Sequence, residues 1–400
     1  LKERHPTWTV EQIKSALVST GDPVHPDGSN SEVSALREGG GRIDLPRADN
    51  ALVFTDPTNL AFGLVKRGTT TTEELALTDA GGGLLPWTAT IAPQTTVTGA
   101  TLTFSTPTAA AGSSLGVVLT VSASASEGDA TGFVVLTRGS DVRRIPYWVH
   151  VEVPKLPSAK HRTLTHAGVY AGTTAGGTAL VSSYRYPEGP LEPGVPTNLS
   201  GPETVFRVRI RKPIANLGAV ILSRANGVHV SPRLVEDDDE NRLAGYDGLP
   251  VNLNPYQLWG RLEPVVAAIA PTAGEYDLVF DTPAGTRPGR FTFRLWLNDV
   301  TPPSVRLLTP RMSAGAAIRF SVTDAGSGVD PGSIVAQIDG RSAARTLSGG
   351  RLVLRSHTRL AAGTHRVAVT VSDYEEAKNM ENVGPILPNT RSFSATITVR

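Results

Sequence analysis

The chain has 400 residues and a mass of 42.1 kDa, more than one ordinary domain of about 100–200 residues holds, so several domains are expected. Its 38 basic and 37 acidic residues nearly cancel, which argues against nucleic-acid or anionic-membrane binding by bulk charge. The absence of cysteine excludes disulfides, a thiol nucleophile and Cys-ligated zinc.

The longest uncharged apolar run, Val265–Ala270, falls far short of the roughly 18 residues of a membrane span. Secretion stays compatible with this composition, because domains near 100 residues bury adequate cores without disulfides. The chain opens Leu1-Lys2-Glu3-Arg4-His5, without an initiator Met or a basic-then-apolar leader. A processed precursor or a cut from a longer protein explains that start, and the residues that follow favour the cut.

Residues 6–20 carry the one convincing helix signal. Thr9 and Gln12 match a capping box, Val10, Ile13, Ala16 and Leu17 form an apolar stripe, and Gly21 stops the helix. So short a helix must pack on something, and nothing downstream reads as its partner. A Pro-, Gly- and Ser-rich loop then leads to Gly39-Gly40-Gly41-Arg42-Ile43-Asp44 and Ala48.

From about 51 the texture is of short β runs separated by turn residues. Residues 117–121, 132–137 and 145–151 read as strands, and Pro154-Lys155-Leu156-Pro157 reads as a linker. Residues 205–211 alternate, with Val205, Arg207, Arg209 and Arg211 on a charged outer face and Phe206, Val208 and Ile210 inward. Residues 291–297 form another strand. Asp299-Val300-Thr301-Pro302-Pro303 marks a boundary, since paired prolines cannot continue a ladder. Strands over 317–322 and 365–372 follow. The segment 301–400 is expected to fold alone as a small sandwich.

Several motifs invite chemistry, and each has a plainer reading. Gly112-Ser113-Ser114-Leu115-Gly116 matches a nucleophile elbow, which needs a strand, a sharp turn and a helix. Here a strand-like run follows, so we read a turn. The acidic run Glu236-Asp237-Asp238-Asp239-Glu240-Asn241 and the loop Asp324–Asp330 supply oxygen ligands suited to calcium. The first lacks EF-hand spacing and its central Gly, and we read it as a solvated loop; the second, Gly-rich, we read as a turn between strands. His161 and His166 lie in a Thr-rich stretch with no carboxylate cluster nearby in sequence, and read as surface residues. Tyr184, Tyr186, Tyr256 and Trp259 would suit carbohydrate stacking, though packing is the commoner use of such residues. Asn198-Leu199-Ser200 fits a glycosylation acceptor. No paired carboxylates stand out as an acid–base dyad. The residues themselves therefore yield no catalytic, cofactor-binding or metal site, and no cofactor is expected.

A resemblance adds direction. Leu1-Lys2-Glu3-Arg4-His5-Pro6-Thr7-Trp8-Thr9 with Gln12-Ile13-Lys14-Ser15-Ala16-Leu17 resembles the segment after the catalytic-serine helix of subtilisin-like serine peptidases (subtilases). Gly39-Gly40-Gly41-Arg42-Ile43-Asp44 with Ala48 is similar to the turn into the last helix of that catalytic domain. Residues 56–63 through 145–149 resemble the fibronectin-III-like domain that follows many large subtilase catalytic domains. The resemblance implies a secreted serine endopeptidase as parent, with a protein or peptide substrate. The chain has no Gly-Thr-Ser tripeptide, and the implied triad would precede Leu1, so no catalytic residue is carried over and this chain is expected to be inactive.

The expected fold class is mainly β, with tandem antiparallel β-sandwiches preceded by a short α-helical remnant of a subtilase α/β catalytic domain. The domains are 1–50, the catalytic-domain end; 51–155, fibronectin-III-like; 156–300, an accessory β-sandwich; and 301–400, immunoglobulin-like. The β modules would position the catalytic domain or contact substrate, cell surface or polysaccharide, with no nucleic-acid partner and no membrane span. The alternative is a secreted adhesin or carbohydrate-binding array.

Overall fold

The computed structural model describes residues 1–182, 184, 198–246, 249–250, 265–375 and 389–400. They divide into two compact units, Leu1–Val153 and Pro154–Arg400. Both are mainly β, the first with one sandwich and the second with two in tandem, of largely antiparallel sheets.

In the first unit a four-stranded sheet runs in the order Leu52–Asp56, Thr70–Ala80, Ser114–Val121, Ala100–Phe104. A five-stranded sheet holds Leu60–Lys66, Asp141–Glu152, Gly128–Arg138, Trp87–Thr95 and Thr108–Ala109 in that order. The strands expected at 117–121, 132–137 and 145–151 lie inside the observed ones. Leu60, Leu75, Trp87, Val117 and Val134 fill the core, as alternation of inward residues requires.

The N-terminal helix spans Val10–Ser19 and its capping box forms as expected. Its partner corrects the expectation. Ser15, Ala16 and Ser19 are buried, whereas Val10 is 76% exposed. The small buried face fits closely on the first strand: Ala16 packs with Ala48, Ala51 and Phe54, and Ser15 Oγ accepts the Thr55 amide at 2.7 Å. Of the expected stripe Ala16 and Leu17 make this contact and Val10 does not, and the hydroxyl side chain of Ser15 completes it. Arg143 locks the same junction, donating from Nε to the Ala51 carbonyl at 2.7 Å and from Nη2 to the Asn50 carbonyl at 3.1 Å.

The second unit begins with a sandwich of six and four strands. The larger sheet runs His161–Leu164, Thr204–Ile210, Gly274–Asp281, Ser231–Glu236, Asp239–Tyr246, Leu249–Pro250. The smaller runs Gly168–Thr173, Arg290–Leu297, Asn216–Arg224, Val265–Ile269. Phe206, Phe280, Phe291 and Phe293 pack edge to face or tilted between them.

The charged outer face expected over 205–211 is only partly realised. Val205 is buried with Leu156, Val181, Tyr184, Leu199, Val235 and Val279 on the far side of the larger sheet, so additional chain covers that face. The supposed linker belongs to this cover. Leu156 is fully buried, and the Lys155 amide donates to both Glu240 carboxylate oxygens at 3.0 Å.

Two further sheets complete the unit. Four strands run Ser304–Leu307, Ile318–Thr323, Arg351–Arg355, Ala344–Ser348, and five run Arg311–Met312, Thr390–Val399, Gly363–Ser372, Val335–Ile338, Arg341–Ser342. Ile318, Phe320 and Val322 meet Val367, Val369 and Val371 in one buried cluster, which is the facing-sheet arrangement their alternation predicts.

Candidate functional site

Two constellations arise only in the folded second unit. The first gathers around His161, which opens the edge strand His161–Leu164 of the larger sheet. Glu236 and Asp239 face each other across a two-residue hairpin. Asp237 and Asp238 form its turn with φ of 54° and 59°, the doubly positive pattern of a type I′ turn. This corrects the reading of the acidic run as a solvated loop. Asp239, Glu240 and Asn241 are buried strand residues, and Asp238 at the tip is directed at His161.

Asp238 Oδ1 lies 3.0 Å from His161 Nε2, and Asp277 Oδ2, from the strand Gly274–Asp281, lies 3.5 Å from the same nitrogen. Arg207 bridges the carboxylates: Nη2 donates to Asp238 Oδ1, and Nε to Asp277 Oδ1 at 3.3 Å. Burial lowers the His161 pKa, with the Arg207 charge adding to the effect. Burial pushes the Asp277 carboxyl up to about 6, opposed by Arg207. The sequence shows no carboxylate close to His161; sheet pairing brings two to it.

His161 also borders a cleft of about 1200 Å³ in the same sandwich, where Arg162, Arg224 and Arg290 contribute positive charge and Phe291 an apolar wall. Glu203 borders it too. Its Oε1 accepts the Leu180 amide at 2.9 Å, its Oε2 is buried without a hydrogen bond, and burial raises its pKa to about 7. This carboxyl changes charge near neutrality, which no local sequence signal announced.

The second constellation is Asp299, Asp324 and Asp373, whose carboxylate oxygens lie within 4.8 Å of one another. Of the loop's two acidic residues, Asp324 joins this group and Asp330 caps the turn at Pro331–Ser333 through the Gly332 amide at 2.7 Å. Backbone amides already serve these carboxylates. Ser327 donates to Asp299 Oδ2 at 2.6 Å and Gly328 to Asp324 Oδ2 at 2.8 Å. Asn216, in the preceding sandwich, clasps Asp299 at both ends: its Nδ2 donates to the Asp299 carbonyl and its Oδ1 accepts the Asp299 amide, each at 2.7 Å. Asn389 Nδ2 donates to the Asp299 carbonyl and to Asp373 Oδ2. This group latches the loop of the last sandwich to the end of the strand Arg290–Leu297.

The remaining candidates separate. Ser114 begins the strand Ser114–Val121 and pairs with Ala76, so the elbow motif runs turn to strand. His166 is exposed and stays near Thr165 and Tyr170. Tyr184 is buried and donates to Asp281; Tyr186, Tyr256 and Trp259 lie outside the described residues. Asn198 is exposed and turns its side-chain oxygen to the Ser200 amide.

No family model matches the chain, and no curated protein does. Among solved structures it is similar to tripeptidyl peptidase 2, at 9% identity and a TM-score of 0.26, over 91% of this chain and 30% of that one. The pre-peptidase C-terminal domain of collagenase from Bacillus anthracis aligns at 12% identity and a TM-score of 0.21, over 34% of this chain and 95% of that one. Fibronectin(III)-like modules of Clostridium thermocellum CbhA align at 10% identity and a TM-score of 0.21, over 58% and 94%. These likenesses decide nothing about chemistry.

Proposed function

We propose that the chain is the non-catalytic C-terminal part of a secreted subtilisin-like serine endopeptidase, whose β modules position the catalytic domain or bind its substrate or a surface. One observation supports this reading most. Residues 1–50 hold to the first sandwich through Ser15, Ala16 and Ala48, yet leave Val10, Leu36, Ile43 and Leu45 more than half exposed. These are four of the ten exposed large apolar side chains among the described residues. Four exposed apolar side chains within 50 residues suit a segment that packs on further chain, and the resemblance of 1–17 and 39–48 to the end of a subtilase catalytic domain supplies that chain. Residues 51–155, 156–300 and 301–400 are then successive accessory modules, and the chain itself lacks turnover.

The test compares the 400-residue chain with a version extended upstream along its natural reading frame. The chain alone should neither cleave casein nor react with a fluorophosphonate serine probe, whereas the extended protein should do both. Stoichiometric labelling of Ser114 in the chain alone would overturn the assignment. A signal peptide directly before Leu1 would favour the adhesin or carbohydrate-binding array, for which the arginine-bordered cleft is the natural binding place.

A further inference from the structure

We propose that His161, Asp238 and Asp277 form a binding site for a zinc-class divalent metal ion in the 156–300 sandwich. The inference is independent of the peptidase reading and uses only this module's geometry.

Three separate elements supply the ligand atoms: the edge strand His161–Leu164, the I′ turn at Asp238 and the strand Gly274–Asp281. The atoms lie within 4.8 Å of one another, with His161 Nε2 at 3.0 Å from Asp238 Oδ1 and 3.5 Å from Asp277 Oδ2. Zinc holds imidazole nitrogen and carboxylate oxygen at about 2.0–2.2 Å, so tetrahedral ligands stand roughly 3.3–3.6 Å apart. The observed spacing is close to that edge length.

A second observation points to a ligand. Asp277 is fully buried, and its Oδ2 has no hydrogen-bond partner; His161 Nε2 is likewise buried and unbonded. Two such atoms facing each other at 3.5 Å leave a carboxylate lone pair unserved, a costly arrangement in a protein interior. A cation between them would satisfy both, with Asp238 Oδ1, which already accepts Arg207 Nη2, as its third ligand. Arg207 holds the other Asp277 oxygen, the kind of outer contact that orients a ligating carboxylate. One nitrogen with two carboxylates suits zinc and its first-row neighbours, whereas calcium takes six to eight oxygens.

The experiment is calorimetric titration of zinc chloride into the chelator-treated 400-residue chain, paired with cobalt(II) absorption. One zinc per chain and the intense visible bands of tetrahedral cobalt are expected. His161→Ala should weaken binding at least tenfold and abolish those bands, while His166→Ala leaves both unchanged. Asp238→Asn, at a half-exposed turn, should act like His161→Ala and decides the matter if Asp277→Asn fails to fold. Absence of zinc binding by the folded wild type, or undiminished binding by His161→Ala and Asp238→Asn, would overturn the proposal.

Discussion

Ser15 Oγ accepts the amide of Thr55 at 2.7 Å, joining the N-terminal helix to a strand that forms the edge of its sheet. An edge strand exposes unpaired backbone donors that must be covered or served. The helix does both, with Ala16 packed against Ala48, Ala51 and Phe54. Ser15→Ala should therefore cost about 1–3 kcal/mol by orphaning the buried Thr55 amide. Amides near Ser15, Ala16 and Ser19 should exchange slowly in the wild type and faster in the variant. Exchange over this helix as fast as in a free peptide would refute the docking.

Gly326 makes the Asp299 latch possible. A Cβ there would lie 2.2 Å from the Asp299 carboxyl carbon and 2.3 Å from both of its oxygens. Gly326→Ala must push the loop away from Asp299 and forfeit the Ser327 amide bond at 2.6 Å. The expected loss is about 2–4 kcal/mol, in the range of overpacking with a broken buried polar contact. Thermal or urea unfolding of the full chain measures it, and an unchanged midpoint would show that the loop is not held there.

The Glu203 carboxyl titrates at about 7 in the folded protein, against an ordinary 4.5. Between those values the folded state binds more protons than the unfolded one, so this group's contribution to stability falls as pH rises from about 4.5 to 7 and stays low above. Glu203→Gln should remove that slope, leaving the variant more stable than the wild type at pH 8 and nearer to it at pH 5. Parallel melting curves of the two proteins across this range would refute the assignment.

Val369 faces Ile318, Phe320 and Val322 inside the last sandwich. Val369→Asp would bury an unpaired charge and cost about 3–5 kcal/mol. Asp330→Asn keeps an oxygen for the Gly332 amide and should cost less than about 1 kcal/mol. Chemical denaturation separates the two, and similar losses would contradict these positions.

The strands were legible because their evidence is local. Alternation in Ile318-Arg319-Phe320-Ser321-Val322 and His365-Arg366-Val367-Ala368-Val369-Thr370-Val371 reports the two faces of a strand within a few residues, and the Thr9–Gln12 capping box reports a helix start in the same way. Sequence alone thus determined that the chain is mainly β and where many strands run. Tertiary structure decided which faces are covered and which charged groups meet. Val205 looks solvent-facing in the alternation of its strand, and it is buried against Leu156, Val181, Tyr184 and Leu199 from outside the sheet. His161 lacks carboxylates in its own stretch, and Asp238 and Asp277 reach it through pairings some 77 and 116 positions distant. Such contacts depend on sheet order and on the hand of a two-residue turn, and neither leaves a periodic trace in the residues that make them.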